Sequence, residues 1–286
     1  MRLNGAEMLR VPWRGRLPKV SRLSQGRGII LKSRREIELI RRAGRVVYRV
    51  LRRMEELAAP GVTTAALNAA AEEMIANEGG TPLFKGVKNP QAKYPFPAAL
   101  CTSVNEELVH GIPSDRVLCD GDIVSVDCGV LLDGYCGDSA TTIAIGKVSP
   151  ETQHLLDVTR RTLALAIELI RPGPMWSEIA SRMQAYVESE KLSVVREFVG
   201  HGIGRDMHEE PKVPNFWNAS QKRMDFKLVP KMVLAVEPMV NLGGHAVDYA
   251  GDERWVVVTK DRKKAAHFEH TIAVTETGVD VLTDGR

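Results

Sequence analysis

Apolar residues that recur at three- and four-residue steps predict two helices near the start of the chain. Ser33 and Glu36 form a capping box, the arrangement that satisfies free backbone N–H groups at a helix N-terminus. The first helix must end before Pro60-Gly61, because proline cannot continue a helix. A second helix is predicted from about Thr64 to Gly79-Gly80, since glycine is frequent just past a helix C-terminus.

The same order of elements returns in the second half of the chain. Ser149 caps a helix that has Pro150 at its first position and that ends at Pro172-Gly173. A further helix covers about residues 177–189. Pro172 lies 112 residues after Pro60, and strands follow each helix pair. This repetition predicts a single fold of two related halves, packed about a pseudo-two-fold axis.

Between the helix pairs, a β-hairpin is predicted at Asp133-Gly134. Asp-Gly between two β-rich runs is typical of a type I′ turn, in which both central residues need positive φ. With this turn, Asp127 pairs with Ala140 and Asp138 pairs with Gly129, so both carboxylates lie on one face, with Cα atoms roughly 7–8 Å apart. Carboxylates this close repel unless a proton or cation lies between them. Two metal ions about 3.5–4 Å apart would fit there, whereas the alternative is a pair of solvated charges.

Composition favours a soluble cytosolic protein with a substantial core. The 286 residues are 44% hydrophobic and 26% charged, and no run of 18 or more apolar residues appears. The N-terminus lacks the apolar core of a secretory signal. Four cysteines without Cys-x-x-Cys spacing argue against a zinc module or a dense disulfide framework. We therefore expect a cytoplasmic protein that does not bind membranes.

Charge is distributed unevenly along the chain. Residues 1–53 contain 16 Lys or Arg and three Glu, so they carry a net charge of +13. The whole chain carries +3, and residues 54–286 therefore carry −10. Residues 1–27 have seven basic residues and no apolar periodicity, which predicts a flexible basic N-terminal extension. A basic arm on an acidic body favours a polyanionic partner such as ribosomal RNA, the alternative being a solvated tail.

Five dispersed blocks give the chain its resemblance to a known family. They are the hairpin and residues 103–113 (SVNEELVHGIP), 200–211 (GHGIGRDMHEEP), 236–240 (VEPMV) and 268–271 (FEHT). The chain thereby resembles the type I methionine aminopeptidases from about residue 28 to its C-terminus. The resemblance implies an α+β "pita-bread" fold, with antiparallel sheet flanked by helices in two pseudo-symmetric halves, and a catalytic domain over residues 28–286.

The resemblance also implies a set of metal ligands with four carboxylates and one imidazole. They are Asp127, Asp138, His201, Glu237 and Glu269. The family holds two divalent ions with these groups. Such oxygen-rich sites suit Mn, Fe(II) or Co, and Zn also binds carboxylate and imidazole, so the identity of the metal stays open.

Three residues are implied as catalytic. Glu237 would act as general base, His208 would stabilise the oxyanion, and His110 would lie near the nitrogen of the scissile peptide bond. A lone His110 would otherwise be interpreted as a structural histidine, and His267 or His270 as surface residues. The Gly200-x-Gly202-x-Gly204 pattern lacks the Lys-Ser/Thr of a phosphate-binding loop, and residues 208–211 are not His-Glu-x-x-His.

An apolar pocket for a methionine side chain is the third implied feature. Its predicted members, besides His110 and His208, are Tyr94, Phe96, Cys101 and Trp255, with Trp255 as a lid. The chain departs from the usual family pattern at residues 88–90, interpreted as an insertion, at Met207 and at Gly129. Residues 216–227 are polar and basic, and we expect a surface loop there.

The implied activity is metal-dependent removal of the initiator methionine from nascent or newly synthesised proteins whose second residue is small. The partners would be N-terminal methionyl peptides and nascent chains, with ribosome contact through the basic arm, and we expect a monomer. Two alternatives remain open. One is an Xaa-Pro aminopeptidase, although such enzymes usually carry a large extra N-terminal domain. The other is a non-catalytic ribosome- or RNA-binding relative on the same fold.

Overall fold

Four α-helices form at the positions that apolar spacing and capping predict. The computed structural model describes residues 28–286. The helices are α1 (Arg34–Leu57), α2 (Thr64–Asn77), α3 (Pro150–Leu169) and α4 (Trp176–Ser189). Ser33 and Glu36 form the predicted capping box, and Ser149 accepts a hydrogen bond from the Thr152 N–H ahead of α3. The predicted basic extension, residues 1–27, lies outside the described residues.

The strands of the described chain pair in antiparallel fashion. In the first half they are β1 (Thr81–Pro82), β2 (Leu100–Val104), β3 (Glu107–Val109), β4 (Ile123–Leu132) and β5 (Tyr135–Ala144). In the second half they are β6 (Ser193–Val194), β7 (Gly200–Gly202), β8 (Glu209–Val213), β9 (Val233–Val236), β10 (Met239–Asn241), β11 (Val247–Tyr249), β12 (Val257–Thr259), β13 (Ala265–His267), β14 (His270–Val274) and β15 (Val279–Val281).

Two larger sheets correspond to the two predicted halves. In the first, β4 lies between β1 and β2 and also pairs with β5, while α1 packs on β4 and β5. In the second, the strand order is β15-β14-β9-β7-β8, and α3 and α4 lie beside each other in this half. Two three-stranded sheets, β13-β10-β6 and β11-β12-β3, complete the fold. The α+β architecture in two related halves is therefore confirmed.

The Asp133-Gly134 hairpin has the predicted register. Asp127 pairs with Ala140 and Gly129 pairs with Asp138 along ten residue pairs of β4 and β5. Both turn residues have positive φ, 51° at Asp133 and 78° at Gly134, as the type I′ geometry requires. The two aspartates therefore share one face of the sheet.

The close approach of α1 to β5 depends on glycine. A Cβ atom on Gly137 would lie only 2.6 Å from the backbone N of Gly44, so helix and strand meet backbone to backbone. Gly137 directly precedes Asp138 in the strand. Packing against α1 therefore fixes the position of β5, which carries the Asp138 carboxylate.

The prediction of a surface loop over residues 216–227 is wrong in part. The segment contains a short 3-10 helix, Ala219–Arg223, and its two phenylalanines, Phe216 and Phe226, are buried. Phe226 stacks on Trp176 with ring centroids 5.9 Å apart and an interplanar angle of 4°. Because the residues between the two phenylalanines are mostly polar, the sequence pattern does not indicate that Phe216 and Phe226 are buried. Among residues 28–286, no helix has both the length and the apolarity to cross a membrane.

Candidate active site

A cavity of about 610 Å³ opens between the two halves and contains the predicted site residues of both. Its polar lining includes eight acidic residues and histidines: Asp127, Asp138, His201, His208, Glu237, Glu269, His110 and His267. All five predicted metal ligands and all three predicted catalytic residues thus line one cavity. They come from elements up to 159 residues apart in the chain (His110 to Glu269), so only the tertiary fold assembles them.

Each half contributes its carboxylates from neighbouring strands. Asp127 lies within β4 and Asp138 within β5. On the other side, His201 lies in β7, Glu237 directly follows β9, and Glu269 directly precedes β14. The pairing of β7 and β14 with the two edges of β9 brings these three side chains together at one end of the sheet.

Polar side chains from other elements hold the backbone of three of the acidic residues. Thr271 Oγ1 donates to the Asp138 carbonyl (2.7 Å) and accepts from the Asp138 N–H (3.2 Å). Ser139 Oγ donates to the carbonyl of Glu269. Asn215 is fully buried and donates from Nδ2 to the carbonyl of Glu237 (3.0 Å). The backbones of three of the acidic residues are therefore fixed by side chains from other elements.

The donor atoms of the cluster fit a divalent cation. Ligand atoms of Asp138, His201 and Glu269 all lie within 4.8 Å of one another. Within residues 28–286, no hydrogen-bond partner is found for the buried atoms Asp127 Oδ1, Asp138 Oδ1 and Glu269 Oε1. Buried polar atoms are normally satisfied, and three free carboxylate oxygens around one space are typical of a cation site.

The His201 ring is neutral, and its Nδ1 is hydrogen-bonded to the backbone. Its Nδ1 lies 3.0 Å from the carbonyl oxygen of Gly202, so Nδ1–H donates there and the lone pair of Nε2 faces the carboxylates. Nε2 lies 3.6 Å from Glu237 Oε1. Burial, reinforced by the nearby His208, lowers the pKa of His201 to about 3. The imidazole is therefore uncharged at neutral pH and free to bind a metal.

The carboxylates are crowded and desolvated. Burial raises the pKa of Asp127 to about 7. Burial, followed by the charges of neighbouring carboxylates, also raises the pKa of Asp138, Glu237 and Glu269 well above their usual values. Without a cation, protons must therefore neutralise part of the cluster at neutral pH. With a cation, all of these groups can ionise.

Two further predicted histidines, His110 and His208, line the same cavity as the carboxylates. The rings of His201 and His208 meet edge to face with centroids 4.5 Å apart. His110 has a positive φ of 60° and contacts the rings of Phe198 (5.6 Å) and Trp255 (6.3 Å). Burial, followed by the effect of His208, lowers the pKa of His110 to about 4, which makes this ring neutral at physiological pH.

An apolar wall closes one side of the cavity. It contains Phe96, Cys101 and Trp255, all less than a tenth exposed, with the rings of Phe96 and Trp255 5.2 Å apart. Tyr94, predicted to belong to this pocket, has its side chain 44% exposed and absent from the cavity lining. Its carbonyl instead accepts a hydrogen bond from Trp255 Nε1 (2.8 Å), so Tyr94 fixes the indole through its backbone.

The departures from the family pattern have structural explanations. The segment interpreted as an insertion, residues 88–90, lines the cavity. A Cβ atom on Gly129 would lie 2.9 Å from the Phe84 ring and 3.0 Å from Leu83 Cβ, so glycine leaves the room that Phe84 occupies. Met207 packs partly buried against the same apolar cluster as Phe96.

His267 is the cavity residue that sequence reasoning missed. It is 2% exposed, and its Nε2 lies 3.7 Å from Glu237 Oε2 and 3.9 Å from Glu269 Oε2. A surface position was the alternative that the sequence left open for it, although its place two residues before Glu269 indicates the same face of an extended segment. Thr142 Oγ1 holds its backbone by donating to the His267 carbonyl (2.8 Å).

Sequence comparison identifies related proteins over most of the chain. Residues 38–276 match the description of metallopeptidase family M24. The chain is 47% identical to methionine aminopeptidase 1 of Bacillus subtilis over 255 residues, which span 89% of this chain and 99% of the relative. It is 45% identical to the methionine aminopeptidase of Clostridium perfringens, over 89% of this chain and 98% of that protein.

Comparison with solved structures also finds methionine aminopeptidases over most of the chain. The crystal structure of methionine aminopeptidase from Thermotoga maritima superposes with a TM-score of 0.83 at 38% identity, over 89% of this chain and 99% of the other. Prolidase from Pyrococcus furiosus superposes at 0.67 with 21% identity, over 89% of this chain and 65% of that one. At that identity, the likeness to the prolidase shows the fold alone.

Proposed function

This chain belongs to metallopeptidase family M24, and we propose that it removes the initiator methionine from newly made proteins whose second residue is small. It is a hydrolase with the pita-bread fold and binds divalent metal, as its relatives over nine-tenths of the chain are methionine aminopeptidases. The observation that carries the proposal is a cluster of carboxylates at one end of a cavity whose side wall is apolar.

The proposed ligands of two divalent ions are Asp127, Asp138, His201, Glu237 and Glu269. Three buried carboxylate oxygens without protein partners and a neutral imidazole support this assignment. A donor set of oxygens with one nitrogen suits Mn, Fe(II) or Co, and accommodates Zn. When bound, the ions supply positive charge that polarises the scissile carbonyl and activates water near neutral pH.

Glu237 is the proposed general base. Its side chain lines the cavity, with Oε1 3.6 Å from His201 Nε2, and a carboxylate held there can accept a proton from attacking water. His208 reaches the cavity beside His201 and can donate a hydrogen bond to the oxygen of the tetrahedral intermediate. His110, neutral and fixed between Phe198 and Trp255, can donate a hydrogen bond to the departing peptide nitrogen.

Restriction to the first residue follows from charge. A free α-ammonium group is attracted to the acidic end of the cavity, whereas an internal peptide nitrogen is not. The methionine side chain would then lie along Phe96, Cys101 and Trp255, where a thioether makes favourable contacts with aromatic rings.

Peptide hydrolysis by the metal-stripped protein tests this function. Met-Ala-Ser and Met-Lys-Ser would be incubated with Mn, Fe(II), Co or Zn separately, and free methionine measured by chromatography. We expect metal-dependent release of methionine from Met-Ala-Ser and resistance of Met-Lys-Ser. No release with any ion, in protein shown by calorimetry to bind it, would reject the catalytic proposal and favour a binding protein on this fold. Cleavage of Ala-Pro-Ser instead would favour the Xaa-Pro alternative.

Residues 1–27 are proposed to contact the ribosome, where nascent substrates emerge. Seven basic residues among 27, on a chain whose residues 54–286 carry −10, support a polyanionic partner. The cytoplasm is the proposed location and a monomer the proposed state, in keeping with a cavity formed within one chain.

A further inference from the structure

A buried ion pair joins the segment before α1 to the first residue of β8. Lys32 Nζ contacts Glu209 Oε2, and the two side chains are only 3% and 6% exposed. The residues lie 177 positions apart in the chain. The Lys32 N–H also donates to the carbonyl of Lys231 (2.8 Å), so both the backbone and the side chain of Lys32 are fixed.

Gly204 provides the space in which this pair lies. A Cβ atom there would lie 2.5 Å from Glu209 Oε1, 2.5 Å from Lys32 Cε and 2.7 Å from Lys32 Nζ. These distances are shorter than van der Waals contact, so any side chain at position 204 must displace the ion pair. The φ of Gly204 lies outside the left-handed region, and steric contact is therefore the only penalty for alanine.

The ion pair also holds the turn between the two histidines of the cavity. Glu209 Oε1 accepts a hydrogen bond from the Arg205 N–H (3.0 Å), while Oε2 contacts Lys32. Cys136 donates from its N–H to the Gly204 carbonyl (2.8 Å) and from Sγ to the Arg205 carbonyl (3.4 Å). Hydrogen bonds from Cys136 in β5 and from the Arg205 N–H to Glu209 thus hold the turn, residues 203–208, in place.

We propose that Lys32 and Glu209 are positioning residues, which hold residues 203–208 so that the His208 ring stays beside His201 in the cavity. Glu209 directly follows His208, so a shift of the Glu209 backbone moves the imidazole. The inference rests on the proposed function, in which His208 stabilises the transition state. A misplacement of about 1 Å at such a group costs up to roughly a hundredfold in rate.

Stability alone does not account for such a pair. Desolvation of two charges offsets most of their attraction, and well-packed apolar replacements of buried ion pairs are frequently neutral or stabilising. The pair does give a fixed distance and direction, with each Glu209 oxygen committed to a different partner. Apolar side chains in place of the ion pair would hold the adjacent His208 less precisely.

Steady-state kinetics on Met-Ala-Ser test the role. We expect Lys32→Met, Glu209→Gln and Gly204→Ala each to lower kcat by roughly tenfold to a hundredfold, with KM and metal affinity changed less than about twofold. The double variant Lys32→Met/Glu209→Gln should be no slower than either single variant, because the two residues act as a unit.

Matched variants separate positioning from folding. Arg41→Met removes the ion pair between α1 and Asp280, and Gly244→Ala adds a methyl group with no heavy atom within 4 Å. Rates are normalised to the folded fraction, measured by circular dichroism at the assay temperature. Both controls should keep kcat, although Arg41→Met should lower Tm.

The position of His208 is measured directly by NMR of histidines labelled at Cε1, with the His208 signal assigned by its loss in His208→Ala. We expect Lys32→Met and Gly204→Ala to shift that signal while leaving the signal of exposed His154 in place. Unchanged kcat and an unchanged His208 signal in these variants would overturn the inference. An inactive wild type would reject the proposed function only, and the NMR shift would still decide whether the pair positions His208.

Discussion

Thr271 binds both backbone groups of Asp138. Its Oγ1 accepts from the Asp138 N–H and donates to the Asp138 carbonyl, at 3.2 and 2.7 Å. Thr271 lies in β14 and Asp138 in β5, so this hydroxyl group links Asp138 to the strand that directly follows Glu269. It acts together with the bond from Ser139 Oγ to the Glu269 carbonyl and the bond from the Glu269 N–H to the Ala140 carbonyl (2.9 Å). The spacing of these two metal-binding candidates therefore depends on a side chain that binds no metal.

Thr271→Val should weaken metal binding without removing a ligand. Valine has nearly the shape of threonine, but it leaves the N–H and carbonyl of Asp138 unpaired, which costs about 1–3 kcal/mol for each buried group. We expect a lower Tm and at least about tenfold weaker Mn affinity, because displaced supporting groups cost this much at metal sites. Isothermal titration calorimetry measures the affinity.

Thr275→Val is the matched control for this substitution. Thr275 Oγ1 accepts from the Gly278 N–H in the turn between β14 and β15, away from the cavity. Its loss should leave Mn affinity unchanged. Equal affinities for Thr271→Val and the wild type would show that the β5–β14 spacing does not depend on this hydroxyl group.

Stability of the metal-free protein should fall as pH rises from 6.5 to 8. The folded-state pKa values of Asp127 (about 7), Asp138, Glu237 and Glu269 are raised above their unfolded values, mainly by burial. Such groups bind more protons in the folded state, so their contribution is full below the unfolded pKa and is lost as pH rises through the folded pKa. The pKa values of five histidines are lowered, so these groups add stability as pH rises through their unfolded pKa near 6.5; this opposes the fall up to about pH 7.5 and not above it. They are His110, His201, His208, His267 and His270.

Thermal unfolding of EDTA-treated protein measures this dependence. We expect Tm to fall by about 3 °C or more between the two pH values, and saturating Mn to abolish the fall, because the cation stabilises the ionised carboxylates. A metal-free Tm that stays constant or rises over this window would contradict the raised pKa values.

Local sequence signals predicted the two strands that carry Asp127 and Asp138. The Asp133-Gly134 turn fixes the register of β4 and β5, and register alone places Asp127 and Asp138 on one face. The capping box at Ser33 and the Pro-Gly breaks likewise predicted the helix boundaries, since these effects act within a few residues. The metal-ligand assignment as a whole came from family resemblance, because no local rule relates Asp138 to Glu269.

Contacts between distant segments were beyond sequence reasoning. Tyr94 was assigned to the pocket by its side chain, whereas its backbone carbonyl is what holds Trp255. For His267 the sequence leaves a surface position open, because the short strands around it give no clear periodicity. The Lys32–Glu209 pair has no sequence signature, since neither residue is unusual in its own segment.

Glu237→Gln should abolish turnover while preserving the fold. The Glu237 backbone is held by Asn215, and glutamine keeps the side-chain shape, but the variant loses both a base and an anionic ligand. We expect kcat on Met-Ala-Ser to fall by about a thousandfold or more. Glu276→Gln, at an exposed turn, is the control and should retain full activity. Substantial turnover by Glu237→Gln would exclude this residue as the base.

Trp255→Leu should raise KM more than it lowers kcat. The substitution removes the hydrogen bond to the Tyr94 carbonyl and the edge-to-face contact with Phe96. Each aromatic contact contributes about 0.5–1.5 kcal/mol, so KM for Met-Ala-Ser should rise by about two- to tenfold. Trp217→Leu, a half-buried tryptophan outside the cavity lining, should leave KM unchanged. A KM equal to that of the wild type would remove Trp255 from the proposed methionine pocket.

Deletion of residues 1–27 should separate catalysis from ribosome association. The deletion removes seven positive charges and one negative charge, and the proposed ligands and catalytic residues all lie within residues 28–286. We expect unchanged kcat/KM on Met-Ala-Ser and weaker co-sedimentation with ribosomes. Association of the full chain should weaken steeply as salt increases, because contacts with phosphate groups release bound counterions. A matched variant that replaces the seven basic residues by glutamine tests charge at constant length. Equal co-sedimentation of all three proteins would reject the extension as the docking element, whereas loss in both variants would assign the contact to its positive charge.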